Sequence, residues 1–283
     1  MTVATSMRVD AHHHVWRLDR GDYSWLTSEL KAIYRDFTLA DLRPLLDTPG
    51  IGATVLVQAA PTVAETEFLL ATAHASEGLV RGVVGWVDLA SQDAVATMTR
   101  LANDPLLKSL RPMLHDLSDS EWILRPEVRP ALAMMAKLDL RFDALVKPPQ
   151  LPALLQMVER NPDLEVVIDH GGKPAVAEGK WDPWARDIAL LARHPGVHCK
   201  LSGLVTEAGP TWTVDTLRRY VDHLLACFGP QRLLWGSDWP VVELGGGYGQ
   251  WVEATVALLS ELSNADREAI LGGNARRFYG LDR

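Results

Sequence analysis

Several classes of protein are disfavoured by what this sequence lacks. Two cysteines, Cys199 and Cys227, are too few for a disulfide framework, so we expect reduced, buried thiols in a cytoplasmic protein. No apolar run is long enough to cross a bilayer, and the opening residues MTVATSMR lack the apolar stretch of a secretory signal. No cluster of lysine and arginine stands out against a formal net charge of −8, which argues against nucleic acid and membranes as partners.

The chain also lacks a low-complexity linker or a shift in composition that would mark a domain boundary. Its 283 residues, 47% of them hydrophobic, suit one larger domain or two small ones. What it has is a steady alternation of short apolar runs with longer amphipathic stretches. We therefore expect a single domain over residues 1–283.

The apolar runs are mostly unbroken Val, Ile and Leu, as in strands that are buried on both faces. They predict eight strands, at 8–14, 53–59, 80–88, 106–114, 141–146, 165–171, 197–204 and 232–238. The amphipathic stretches predict eight helices, at 39–46, 63–77, 92–102, 126–138, 150–160, 184–194, 214–228 and 248–262. Eight β-then-α units predict an α/β fold, the closed TIM (β/α)8 barrel. A doubly wound open sheet is the alternative, although it rarely needs eight parallel strands.

The first predicted strand runs into the segment DAHHHVW, residues 10–16. His12 and His14 are two residues apart, so their imidazoles point to the same side of a strand. Two such imidazoles can hold a metal, or polarise a carbonyl and a water. A polar strand end with solvated histidines is the alternative.

The chemistry of a TIM barrel lies at the C-terminal ends of its strands, so the last residues of each run form the candidate site. They are His12 and His14, Gln58, Trp86 and Asp88, Arg111 with His115 and Asp116, Lys147, Asp169 and His170 with Lys173, Lys200 and Ser202, and Ser237, Asp238 and Trp239. Asp238 ends a very apolar strand, where an unpaired carboxylate is costly; it must bind a metal, take part in chemistry or pair with Lys200 or Arg111. His170 precedes two glycines that allow close approach of a ligand, and a satisfied core histidine is its alternative.

Several motifs together resemble a known family. In chain order they are DAHHHVW (10–16), RGDYSWL (20–26), TVLVQAAP (54–61), GVVGWVD (82–88), IDHGGKP (168–174), CKLSGL (199–204), LWGSDWP (234–240) and GNARRFY (273–279). They are similar to the sugar lactonases of the amidohydrolase superfamily, the group that contains L-fuconolactonase and L-rhamnonolactonase and is related to 2-pyrone-4,6-dicarboxylate lactonase. The resemblance covers almost the whole chain and does not specify one substrate.

The resemblance implies roles for four residues. The family's first-strand histidines match His12 and His14, its sixth-strand histidine matches His170, and its eighth-strand aspartate matches Asp238. In metal-dependent members these groups bind a divalent ion such as zinc, whereas related lactonases work without metal, so metal dependence stays open. Lys147 is the one candidate for a bridging carboxylated lysine, and its Val-Lys-Pro-Pro context argues against that role.

One position departs from the family. Many relatives have Arg-His after strand four, where this chain has Arg111 followed by Pro112, and His115 is a replacement for that histidine. Arginine is well suited to gripping a carboxylate or a lactone carbonyl. The expected substrate-binding residues are Arg111, Trp25, Trp86, Lys200 and His115.

The resulting hypothesis is a hydrolase that opens the ring of a sugar-derived lactone, a small-molecule substrate. Asp238 would take a proton from a water oriented by His12, His14 and, where present, zinc, while His170 and Arg111 polarise the carbonyl. Two alternatives stay open: a zinc-dependent decarboxylase of the same superfamily, and a non-catalytic barrel that binds a sugar acid. The identity, ring size and stereochemistry of the lactone are not specified by the sequence, and neither is self-association into a homo-oligomer.

Overall fold

The computed structural model describes residues 7–282, so most of the N-terminal stretch considered as a signal lies outside the described residues. One sheet of eight parallel strands runs in the order β1 to β8, each strand pairing with the next along the chain. The strands are β1 Arg8–His13, β2 Ile51–Val57, β3 Val80–Gly85, β4 Leu107–Leu110, β5 Arg141–Ala144, β6 Val166–Ile168, β7 Val197–Leu201 and β8 Leu233–Trp235. This arrangement confirms the predicted TIM barrel.

Helices alternate with the strands. They are α1 Leu39–Leu46, α2 Val63–His74, α3 Ala94–Leu101, α4 Arg129–Lys137, α5 Leu151–Arg160, α6 Trp184–Leu191, α7 Leu204–Glu207, α8 Val214–Phe228, α9 Tyr248–Leu258, α10 Asn264–Glu268 and α11 Asn274–Tyr279. Within residues 7–282, no helix combines the length and the apolarity needed to span a membrane.

The barrel is closed by the residues that follow β8. His13 forms a parallel bridge with Trp239, and the backbone N–H of Asp238 donates to the carbonyl of His12 at 2.8 Å. The chain passes so close to β1 that a Cβ on Gly236 would lie 2.7 Å from the Cβ of His12, which only glycine avoids. Closure therefore brings the polar residues after β8 against those of β1.

The barrel interior has its own apolar core. Val9, Val55, Val167 and Leu234 point inward and pack together with Phe278 of α11, a helix that the sequence analysis did not predict. A larger core lies between the strands and the surrounding helices. Burial on both faces explains why the strands are runs of apolar residues without alternation.

The strands end earlier than predicted. β4 ends at Leu110 instead of residue 114, and β8 ends at Trp235 instead of residue 238. The polar residues after these points lie in irregular segments or in a short 3-10 helix. The backbones of His170 and Asp238 adopt left-handed φ values of 53° and 59°. Non-glycine residues rarely adopt this region, and those that do are concentrated at functional sites.

Candidate active site

Three imidazoles surround one carboxylate oxygen where the strands end. The Oδ1 atom of Asp238 lies 3.3 Å from Nε2 of His14, 3.6 Å from Nε2 of His12 and 3.8 Å from Nε2 of His170. All four side chains are almost completely buried. The structure thus brings together residues at the end of β1 and in the segments that follow β6 and β8, as expected from the sequence.

Hydrogen bonds on the far side of two rings set their orientation. Nδ1 of His14 lies 2.8 Å from the carbonyl of Val57, an acceptor, so this nitrogen carries the proton and Nε2 is left with a lone pair. Nδ1 of His170 lies 2.9 Å from the hydroxyl of Ser202. A lone pair on His14 that faces a carboxylate oxygen at 3.3 Å requires a proton or a cation between them.

The donor set fits a divalent metal. His12, His14 and Asp238 form one group of converging ligand atoms, and His12, Asp169 and His170 form a second. Imidazole nitrogen and carboxylate oxygen are ligands that zinc takes at about 2.0–2.2 Å, so tetrahedral ligands are separated by about 3.3–3.6 Å. The contacts around Asp238 fall close to that range.

Burial and the neighbouring charges shape the protonation of these groups. Burial lowers the pKa of His170 to about 4, although Asp238 and Asp169 act in the opposite direction. Burial and the Lys200 ammonium hold the pKa of His12 well below its usual range. Burial alone would raise the pKa of Asp238, but the neighbouring imidazoles of His170, His14 and His12 outweigh it and lower that pKa. Neutral imidazole and ionised carboxylate are the forms that bind metals.

Arg111 lies beside this cluster. Its Nη1 atom is 3.5 Å from Nε2 of His12 and 3.3 Å from Oδ2 of Asp169. Its Nη2 atom donates to the carbonyl of Gln58, whose side-chain amide donates to the Arg111 carbonyl at 2.8 Å. The guanidinium is therefore held in one place next to the three imidazoles.

A second charged layer lies deeper in the barrel. Nζ of Lys200 is 2.5 Å from Oδ2 of Asp143, 3.0 Å from Oδ1 of Asp169 and 3.1 Å from Nδ1 of His12. The hydroxyl of Tyr279 in α11 donates to Asp143 at 2.8 Å. Lys200 was predicted to bind substrate, but its side chain has no exposed surface and does not line the cavity. Its ammonium instead binds two buried carboxylates.

A cavity of about 170 Å³ opens above the imidazoles. Its lining is His14, Trp25, Ala59, Arg111, Met113, His115, Asp116, Leu145, His170, Lys173, Asp238 and Val241. An engineered cavity of about 150 Å³ binds benzene, so this volume suits one small ring. Of the predicted substrate-binding residues, Arg111, Trp25 and His115 are in this lining.

Trp86 is not in the lining. It is half-buried after β3, where its backbone N–H and carbonyl both hydrogen-bond the hydroxyl of Thr66 in α2, at 2.7 and 2.9 Å. Four apolar lining residues were not predicted from the sequence: Ala59, Met113, Leu145 and Val241. Nothing in the sequence distinguishes them from core residues, because their role depends on loop shape.

The charged groups of the lining are balanced. Arg111 and Lys173 bring two positive charges, and Asp116 and Asp238 bring two negative ones. Lys173 forms an ion pair with Glu207 of α7, and His115 lies 3.1 Å from Oδ1 of Asp116. Burial and the nearby cations lower the pKa of His115 to about 3, so it is neutral near pH 7. No excess of positive charge is available for a polyanionic ligand.

Comparison with known proteins adds to this geometry. A family model described as Amidohydrolase matches residues 9–281. An L-fucono-1,5-lactonase of Burkholderia ambifaria is 46% identical over 282 residues, which cover 98% of this chain and 97% of that protein. An L-fucono-1,5-lactonase of Burkholderia multivorans is 34% identical over 296 residues, which cover 98% of this chain and 97% of that protein.

A solved structure supports the same relationship. A crystal structure of an amidohydrolase from Burkholderia multivorans, with bound zinc, superposes with a TM-score of 0.90 at 34% identity. The superposition covers 97% of this chain and 99% of that one. The likeness extends over the whole barrel and is not confined to one motif.

Proposed function

The chain belongs to the amidohydrolase family, and we propose that it is a hydrolase that opens the ring of a sugar-derived lactone, with residues 1–283 as one domain. One observation carries the proposal: an Asp238 carboxylate faced by three imidazoles lines a ring-sized cavity together with Arg111. The two related L-fucono-1,5-lactonases support an aldonolactone, such as an L-fuconolactone, as the substrate.

Asp238 is the general base of the proposed reaction. All three imidazoles face its Oδ1 atom. We therefore assign the transferred proton to the other carboxylate oxygen, Oδ2. This oxygen accepts a proton as water attacks the lactone carbonyl, and returns it to the ring oxygen when the C–O bond breaks. His12, His14, His170 and Asp238 would hold a divalent ion such as zinc, which lowers the pKa of bound water from about 15.7 to about 7.

Arg111 stabilises the negative charge that develops on the carbonyl oxygen, and His170 would join it in the metal-free site, where its Nε2 atom is not a metal ligand. Arg111 is fixed by its contacts with Gln58 and Asp169 before substrate arrives, so no reorganisation is needed as the charge forms. His170 is held by Ser202 and lines the same cavity. Removal of one such donor typically lowers kcat by about a hundredfold to a thousandfold.

The cavity favours a neutral, polyhydroxylated ring. The indole of Trp25 lines one wall and suits the C–H face of a sugar ring. Asp116 and His115, also in the lining, provide acceptors for hydroxyl groups. In the metal-free site, the balanced charges of the lining give a dicarboxylate no compensation for its lost hydration.

The test is acid release from a panel of aldono-1,4- and aldono-1,5-lactones, followed with a pH indicator on metal-stripped and zinc-reconstituted protein. We expect hydrolysis that Asp238→Asn lowers by about a thousandfold, with unchanged Tm, whereas the exposed control Asp163→Asn keeps full activity. Near-normal turnover by Asp238→Asn would refute its assignment as the base. Silence from both preparations would refute the lactonase, with carbon dioxide release favouring the decarboxylase and binding without turnover favouring a binding barrel.

A further inference from the structure

The loop between β1 and α1, residues 14–38, covers one side of the cavity and carries Trp25. The Nε1 atom of Trp25 donates to the carbonyl of Ala59 at 2.7 Å, so the indole is attached to the end of β2. Ala59 also lines the cavity. This wall therefore consists of two chain segments whose relative position must be fixed.

A buried carboxylate in α2 contacts both segments. The Oε2 atom of Glu65 accepts from the hydroxyl of Tyr23 at 2.8 Å and lies 3.3 Å from Nη2 of Arg20, both in the loop. Its Oε1 atom accepts from the backbone N–H of Ala59 at 3.2 Å. Glu65 has no exposed surface, and every one of these contacts comes from a donor, as an ionised carboxylate requires.

A single residue, Ala59, connects Glu65 to Trp25. The N–H of Ala59 faces Glu65 and its carbonyl accepts from Trp25, so a displacement of the carboxylate is transmitted to the indole through one residue. On the other side, Tyr23 is only two residues from Trp25 in the chain. Both routes from Glu65 lead to the same aromatic wall.

We infer that Glu65 is a positioning residue, whose carboxylate fastens the β1–α1 loop to the end of β2 and thereby sets Trp25 for binding the substrate ring. The attachment of the loop does not depend on the proposed function; only the binding of a lactone by Trp25 rests on it. A side chain that acts in this way changes substrate affinity, and its loss raises KM while kcat is retained.

The charge of Glu65 adds a pH dependence. The titratable and charged groups that face it are Arg20, Asp22 and Tyr23, all on the loop. Burial has the largest effect on the pKa of Glu65. It outweighs the lowering by the hydrogen bonds from Tyr23 and Ala59 and by the charge of Arg20, so the pKa is raised to about 7. The attraction to Arg20 is therefore lost as the pH falls through about 7.

Stability has the opposite pH dependence. Since the unfolded chain releases this proton near its ordinary pKa of 4.5, the contribution of Glu65 to the free energy of unfolding is largest below that value. It is lost as the pH rises through about 7. Substrate affinity and stability are thus expected to change in opposite directions with pH, which a merely structural side chain would not produce.

The first experiment compares Glu65→Gln with Glu67→Gln. Glutamine keeps the size of Glu65 but replaces one acceptor oxygen with an NH2 group, which cannot accept from Arg20 or Tyr23. Glu67 is a matched control on the same helix, half exposed and paired with Arg100. With the best lactone of the panel, we expect Glu65→Gln to raise KM about tenfold with kcat and Tm little changed, and Glu67→Gln to resemble the wild type.

The pH profile supplies a second readout. The wild-type KM should increase as the pH is lowered from about 7.5 to about 5.5, and the KM of Glu65→Gln should stay constant over the same range. A lower kcat at unchanged KM, or the same pH profile in both proteins, would overturn the inference. If Glu65→Gln does not fold, Tyr23→Phe removes a single hydroxyl from the same contact and is judged by the same changes in KM.

Hydrogen exchange separates this inference from the proposed function. Amide exchange in residues 16–37 should be faster in Glu65→Gln than in the wild type or in Glu67→Gln, whatever reaction the protein catalyses. Faster exchange in a protein that hydrolyses no lactone would support the attachment and refute the lactonase. Unchanged exchange would overturn the attachment even if lactone is hydrolysed.

Discussion

Replacement of Lys200 by methionine should reduce stability far more than substrate affinity. Its ammonium lies 2.5 Å from Asp143 and 3.0 Å from Asp169, and all three side chains are fully buried. Methionine is similar in length but leaves both carboxylates without this partner. The perturbation therefore removes one partner from a buried ionic cluster while the packing is approximately kept.

The magnitude follows from the cost of a buried, uncompensated charge. Removing one member of a buried ion pair typically costs about 3–5 kcal/mol. A protein of this size loses about 2–4 °C of Tm per kcal/mol, so we expect Tm to fall by about 6–20 °C. Lys180→Met is the matched control, because Lys180 is 67% exposed and its pair with Glu178 contributes about 0–1 kcal/mol.

The assay is thermal unfolding by calorimetry, combined with steady-state kinetics at a temperature where both proteins are folded. Adding Asp143→Asn to Lys200→Met should restore part of the lost stability, because it removes the carboxylate that has lost its cation, whereas Asp169 keeps its contact with Arg111. A Tm within about 2 °C of the wild type, together with a strongly raised KM, would refute this reasoning. That outcome would assign Lys200 to substrate binding instead.

Three further predictions concern the cavity and its support. Arg111→Lys should lower kcat by about a hundredfold in steady-state assays, because an ammonium cannot reproduce the two guanidinium contacts with Gln58 and Asp169. A change in KM alone would contradict this prediction. Gly203→Ala should lose activity and stability, because its Cβ would lie 2.5 Å from Nδ1 of His170. The control Gly179→Ala, also at positive φ but with open space around it, should lose only a little Tm. Trp25→Ala should raise KM about tenfold with little change in Tm, and an unchanged KM would remove it from the binding wall.

Helix boundaries were predicted well where a local signal defines them. The predicted helices 39–46 and 214–228 match α1 and α8. Both begin after a threonine: the N–H of Thr38 donates to Asp41 at 2.9 Å, and Thr213 accepts from the N–H of Thr216. Capping depends on residues within one turn, so it is visible in the sequence.

Strand ends were predicted less well, because they are defined by partners far along the chain. The predicted eighth strand extends to residue 238, yet pairing with β7 ends at Trp235. From there the chain turns to hydrogen-bond β1, more than two hundred residues away. No property of the local sequence reports that change of partner.

The four central residues were predictable because barrel topology brings strand ends to one mouth. Depth within the barrel was not predictable, and Lys200 shows why. Its inward direction follows from strand alternation, but the stagger of neighbouring strands decides whether it meets substrate or the buried Asp143. Glu65 was missed for a similar reason, since its partner Tyr23 lies 42 residues earlier in the chain.

The two charged layers explain why stability and chemistry can be separated in this site. In the deeper layer, the charge of Lys200 is compensated by carboxylates, so its removal leaves an unbalanced buried charge and lowers stability. In the upper layer, Asp238 faces imidazoles, and its closest contact among them is a lone pair on His14. The partners of that carboxylate are imidazoles, which can gain or release a proton or bind a cation, whereas Lys200 is a permanent cation; this difference makes the upper layer the reactive one. His12 contacts both layers, since its Nε2 atom faces Asp238 and its Nδ1 atom faces Lys200. A substitution in the deeper layer therefore affects the reaction by changing the orientation of this one imidazole.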